Sequence, residues 1–143
     1  MYAKKSWDEI IEGQSVVVTR TISVADQVLY GGASGDFGPV HFDRHYTSNL
    51  AFKRPIASGI MLTGIFTSVL TSHLVGVYPV SIEDRFRFPG PVYFGDTIRF
   101  EVMVVEKRLE DRVIAWTGTA TNAAGEVTVS AEAWMKFPRR YMS

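Results

Sequence analysis

Between Gly59 and Val77 the chain carries its longest apolar stretch, and this stretch dictates what the rest of the sequence must build. Thr63, Thr67, Ser68, Thr71, Ser72 and His73 interrupt it too often for a membrane span, which needs about 20 predominantly apolar residues. Ile60, Met61, Leu62, Ile65, Phe66, Val69, Leu70 and Leu74 fall all around a helical axis instead of along one stripe, the pattern of a helix enclosed by other structure. Ser58 stands where it can cap the start, and Gly76 and Pro79 stand where the helix must end.

The second half of the chain supplies the enclosure. Ile98, Phe100, Val102 and Val104 alternate with Arg99, Glu101, Met103 and Val105, the period-2 pattern of a half-buried strand. Val113 to Thr121 follows as a Thr-rich strand. Val127 to Phe137 places Val127, Val129, Ala131, Ala133, Met135 and Phe137 on one face, and Asn122-Ala123-Ala124-Gly125 is the turn between these two strands. Their short links make the sheet antiparallel. Val80 to Phe88 is a further strand, and Ser15 to Ile22 begins the sheet near the N-terminus. Shorter helices are signalled by the capping spacings Ser6-x-x-Glu9 and Ser23-x-x-Asp26, and by Asp43 ahead of a helix running through Asn49. An antiparallel sheet wrapped around one long central helix satisfies this order, which is the α+β hotdog arrangement.

At 143 residues, with no repeat or linker, one domain spanning 1–143 is expected. Fifteen basic residues balance fifteen acidic ones, so no net field draws the chain to nucleic acid. The absence of cysteine excludes disulfides, thiolate nucleophiles and cysteine-bound zinc. The first residues hold no apolar signal-like core, so a cytoplasmic location is expected.

Chemistry-bearing residues crowd into Ser34-Gly35-Asp36-Phe37-Gly38-Pro39-Val40-His41-Phe42-Asp43. Gly31, Gly32, Gly35, Gly38 and Pro39 permit backbone shapes closed to bulkier residues, so Asp36 and His41 can be brought side by side. A carboxylate orients a water or accepts a proton, and imidazole is the side chain that exchanges a proton near neutral pH. One Asp and one His in a Gly-rich loop are more often only turn and cap residues, and spacing alone does not decide.

Three blocks in order carry a resemblance. Ser34-Gly35-Asp36-x-x-Pro39-Val40-His41-x-Asp43, then Arg54-Pro55-Ile56-Ala57-Ser58-Gly59-Ile60-Met61-Leu62, then Phe88-x-x-Pro91-Val92-x-x-Gly95-Asp96 resemble the MaoC-like dehydratase and (R)-specific enoyl-CoA hydratase family across nearly the whole chain. The resemblance implies a hydratase/dehydratase that interconverts trans-2-enoyl-CoA and (R)-3-hydroxyacyl-CoA, with Asp36 and His41 holding the water. It implies that the Gly59 N–H meets the thioester oxygen, a role suited to a helix N-terminus. It also implies support of the site by Ser34, Pro39 and Thr67, the last where the family often has a Ser, although a helical Thr also bonds its own backbone. No metal and no organic cofactor are implied, coenzyme A entering only as part of the substrate. The family usually has Asn where this chain has Gly38, and commonly His where it has Ser58, so the loop is expected to be looser or the pocket reshaped.

His45 and His73 read as a surface residue and a helix-end residue, without a third spaced ligand for a metal. Arg54, Arg85 and Arg87 either meet coenzyme A phosphates or form a solvated face. Phe37, Phe42, Tyr46, Phe66 and Trp116 either line an acyl tunnel or form core. A single sheet layer leaves an edge uncovered, which together with the resemblance leads to a homodimer or an assembly of dimers. A hotdog thioesterase and a non-catalytic thioester-binding or assembly subunit are the competing readings.

Overall fold

The computed structural model describes residues 2–141. Its strands are β1 (Ser15–Thr21), β2 (Val80–Arg87), β3 (Thr97–Arg108), β4 (Val113–Thr121) and β5 (Val127–Lys136). They pair in one antiparallel sheet in the order β1-β3-β4-β5-β2, which leaves β1 and β2 as edges. The alternation of β3 is realised, with Ile98, Phe100, Val102 and Val104 all buried. The alternation of β5 breaks at its start. Val127 is exposed, whereas Thr128 is buried with its hydroxyl donating to the Ala120 carbonyl at 3.1 Å. The register shifts between Ala120 and Thr121, and a one-residue slip reverses which side chains face inward.

The central helix α4 runs Gly59–Val69 and continues as a π-helical turn, Leu70–Leu74. Leu62, Phe66, Val69, Leu70 and Leu74 are buried in the core, and the Phe66 ring meets Phe100 and Trp116 at 5.3 Å and 6.1 Å between centroids. Enclosure on every side is not achieved within one chain. Ile60, Gly64, Thr67 and Ser68, at helical spacing, form an exposed stripe, because one sheet covers only the opposite flank. Among the described residues no helix is long and apolar enough to cross a membrane.

The other helices are α1 (Val24–Ser34), α2 (Pro39–Phe42) and α3 (Arg44–Ser48). The Ser6 spacing yields only a 3-10 turn, Trp7–Glu9, although the Glu9 carboxylate does accept the Ser6 N–H at 2.7 Å. Asp43 caps α3 by accepting the Tyr46 N–H at 2.9 Å. At α1 the capping box is complete: Ser23 Oγ accepts the Asp26 N–H at 3.2 Å and the Asp26 carboxylate accepts the Ser23 N–H at 2.8 Å. The Ser23 N–H, then the Ser23 hydroxyl and Arg20, hold the Asp26 carboxyl below its ordinary range. Its stabilisation is therefore full at neutral pH and is lost as pH falls through that lowered value. Ser23→Ala is expected to lower stability by about 1 kcal/mol in urea unfolding near neutrality, with a smaller difference between the two proteins in acid.

Candidate active site

Helix α1 stops where Gly35 takes φ 82°, a left-handed conformation that favours glycine. The other glycines credited with bending this segment do not do so: Gly31 and Gly32 lie within α1, and Gly38 has an ordinary φ of −54°. Polar bonds hold the turn instead. Ser34 Oγ donates to the Tyr30 carbonyl at 2.7 Å and accepts the Asp36 N–H at 3.1 Å. Asp36 Oδ1 accepts the Gly38 N–H at 3.2 Å, so backbone supplies a tie at the position where an Asn side chain was expected. Pro39 then opens α2, its fixed φ suiting the first helical position.

This path brings His41 back to Asp36, with Nε2 at 3.6 Å from Oδ2. The gap is too long for a direct hydrogen bond and short enough for one water to touch both atoms. His41 Nδ1 lies 2.7 Å from the Ile56 carbonyl. A carbonyl only accepts, so Nδ1 carries hydrogen, and in the neutral ring the lone pair is on Nε2, the nitrogen nearer Asp36. The His41 side chain is 12% exposed and that of Asp36 42%, so the pair opens to solvent on its carboxylate side. A Cβ at Gly38 would stand 3.2 Å from Asp36 Oδ1 and 3.8 Å from His41 Cδ2, which places position 38 at the border of both groups.

Three residues beyond Ile56, α4 begins. Ser58 occupies the cap position, but its side chain makes no capping bond, a correction to the expectation from its residue type. Its N–H is held instead by the buried Gln27, whose Oε1 accepts it at 2.8 Å. Gly59, as the first helical residue, has no helical carbonyl a turn earlier and no cap oxygen, so among the described residues its N–H has no partner and carries positive partial charge. A pocket of about 350 Å³ lies at this point, lined among others by Phe52, Ile56, Gly59, Leu62, Phe88 and Pro91. A second, of about 180 Å³, is lined by His41, Phe42, Arg44, Arg54 and Tyr93 among others. Ile56 links them, lining the first and holding His41 through its carbonyl.

Thr67 does not join the group: it is exposed, and its hydroxyl makes no hydrogen bond to the loop among the described residues. Arg54 reaches the His41 pocket, its guanidinium 4.0 Å from the Tyr93 ring centroid. Arg85 is paired to Glu83 at 2.7 Å and lies with Arg87 in a different pocket, beside Thr117 and Ser130. Of the aromatics, Phe66 and Trp116 are core, Phe37 and Tyr46 are exposed, and Phe42 lines the His41 pocket. Arg44 and Gln27 were not singled out from sequence, and Phe88 only as the start of a resemblance block. Only Gln27 left a signal, as a lone carboxamide beside Val24, Val28 and Leu29. No cluster of three or more His, Asp or Glu residues suited to a metal occurs among the described residues.

Comparison with known proteins decides the family. The model of the MaoC like domain matches residues 8–126. The chain belongs to the MaoC-like family. This MaoC-like chain is 33% identical over 134 residues to an (R)-specific enoyl-CoA hydratase of Rhodospirillum rubrum, covering 94% of this chain and 92% of that one. A 3-hydroxybutyryl-CoA dehydratase of Methylorubrum extorquens is 28% identical over 134 residues, 94% of this chain and 85% of the relative. The solved (R)-hydratase of Aeromonas caviae, described as involved in PHA biosynthesis, superposes with a TM-score of 0.84 at 28% identity, covering 90% of this chain and 98% of that one. The MaoC-like chain thus has the hotdog fold and is a hydro-lyase of the hydratase/dehydratase class.

Proposed function

We propose that the chain interconverts trans-2-enoyl-CoA and (R)-3-hydroxyacyl-CoA, with Asp36 and His41 as the acid–base pair and the Gly59 N–H as the oxyanion donor. The observation that carries this reading is the 3.6 Å gap between His41 Nε2 and Asp36 Oδ2, with His41 Nδ1 engaged by the Ile56 carbonyl so that Nε2 is the nitrogen left for a water. A water held between them is oriented by the Asp36 carboxylate and loses a proton to Nε2 as its oxygen bonds to the β-carbon. The C=C electrons move toward the thioester, and charge builds on the carbonyl oxygen, which the Gly59 N–H meets. The enolate then collapses as Nε2 returns the proton to the α-carbon. One water has been added, and the reverse sequence is dehydration. The names of the relatives support this substrate class, and Arg44 and Arg54 bring positive charge suited to an anionic carrier such as coenzyme A.

A panel of 2-enoyl-CoA and 3-hydroxyacyl-CoA thioesters, followed by absorbance of the conjugated enoyl thioester, tests the reading. Gain and loss of that absorbance without release of free thiol is the expected result. Thiol release from saturated acyl-CoA without hydration supports a thioesterase instead, and binding without either product supports a non-catalytic subunit; each outcome overturns the proposal.

A second copy of the chain completes the fold in this reading. Val80 and Ile82 are 63% and 56% exposed on the free edge strand β2, and the uncovered stripe of α4 also awaits a partner. An unpaired edge strand with exposed apolar side chains at its start invites strand addition, so two sheets are expected to join along β2. Light scattering is expected to give twice the chain mass or a multiple of it, and Ile82→Asp is expected to release single chains. A wild-type protein that scatters as one chain at micromolar concentration rules this assembly out.

A further inference from the structure

Helix α1 is built the wrong way round for a helix that serves only the core. Val24, Val28 and Leu29 are exposed, while Gln27 is 0% exposed. Burying a carboxamide is unfavourable unless its hydrogen bonds are made. Gln27 makes one: Oε1 accepts the Ser58 N–H at 2.8 Å. That bond fixes which end of the amide is which, because the reversed amide would set NH2 against N–H. Nε2 is thereby left as a buried donor with no acceptor among the described residues. A side chain kept at this disadvantage is explained by what the one bond holds.

The segment it holds is the one on which both halves of the site depend. The Ile56 N–H donates to the Val40 carbonyl at 3.2 Å, the Ala57 N–H to the Val92 carbonyl at 2.8 Å, and the Ser58 N–H to Gln27. Three successive amides are tied, to α2, to the segment before β3 and to α1, and the fourth, Gly59, has no partner among the described residues. The Ile56 carbonyl also fixes His41. Among the three amide ties, Gln27 is the one side-chain partner.

We infer that Gln27 is a positioning residue for the reaction, its carboxamide oxygen orienting the Ser58 peptide so that the Gly59 N–H faces the thioester oxygen in register with His41. This rests on the function proposed above. The bond acts through the backbone and touches no substrate, so its loss falls on the transition state more than on binding.

Gln27→Met keeps the side-chain volume and removes the acceptor. It is expected to lower kcat about tenfold while KM stays within about twofold, since a misdirected donor weakens only the charge that develops in the reaction. Amide hydrogen exchange in the unmutated protein provides a second reading that no folding defect can mimic. The Ser58 amide is expected to exchange at least about tenfold more slowly than Gly59, being buried and bonded. Unchanged kcat in a folded Gln27→Met variant, a loss confined to KM, or a Gly59 amide protected as well as Ser58 each overturns the inference. Wild-type turnover of an enoyl thioester with any of those results sinks the role of Gln27 alone, whereas a wild-type chain inert to every enoyl and 3-hydroxyacyl thioester sinks the proposed function and this inference with it.

Discussion

Asp36→Asn is expected to lower hydration of crotonyl-CoA by about 10²- to 10⁴-fold, or about 3 to 5 kcal/mol of transition-state stabilisation. Asn retains an oxygen that can accept the Gly38 N–H, so the bond that shapes the loop survives the change. What disappears is the carboxylate 3.6 Å from His41 Nε2, which in the proposed mechanism orients the water and stabilises the imidazolium formed when that water loses its proton. His41→Ala removes the proton carrier itself and also strips the Ile56 carbonyl of its donor, so its effect is expected to be at least as large. The double variant is expected to be little worse than His41→Ala, because two groups acting on one water fail together. Circular dichroism and thermal unfolding must show both single variants folded. Full turnover by either one removes that residue from the mechanism.

Features encoded by contiguous patterns were the legible ones. The alternation of Ile98 to Val105 and the apolar run from Gly59 each marked a real element, and the spacing of Asp36 and His41 allowed the contact the fold makes. Features decided by a neighbour distant in sequence were not. The slip that turns Val127 outward depends on how β5 meets β4 at Ala120, which no period within β5 records. Ser58 has the residue type of a cap, yet Gln27, 31 residues earlier, takes over the start of α4. Arg54 and Arg85 were indistinguishable as charges until the fold put one beside His41 and the other beside Glu83. The apolar residues around α4 and the outward Val28 and Leu29 of α1 illustrate a deeper ambiguity: a pattern that demands burial does not say whether the same chain or a second copy provides it.

Gly59→Ala is expected to reduce kcat by about 10²- to 10³-fold, the loss expected when one oxyanion donor can no longer be reached. Alanine is ordinarily the better residue in a helix interior, by about 0.5 to 1 kcal/mol, but Gly59 opens α4 against Phe88, so thermal unfolding must show the variant folded before its lost activity is assigned to the donor. The obstacle is local. A Cβ at position 59 would stand 2.6 Å from Phe88 Cδ1, so either the Phe88 ring or the first turn of α4 must move. The same methyl also lies beside the N–H that a thioester oxygen must approach. Gly59→Ala combined with Phe88→Ala separates these two effects, since the truncated ring no longer resists the methyl. If displacement of the helix start is the whole cause, the double variant recovers. If the methyl keeps the thioester from its donor, the double variant stays inactive, and this is the expected result because the open N–H and the glycine that bares it occur at one residue. A Gly59→Ala protein with wild-type kcat would mean that the charge developing on the thioester is met elsewhere.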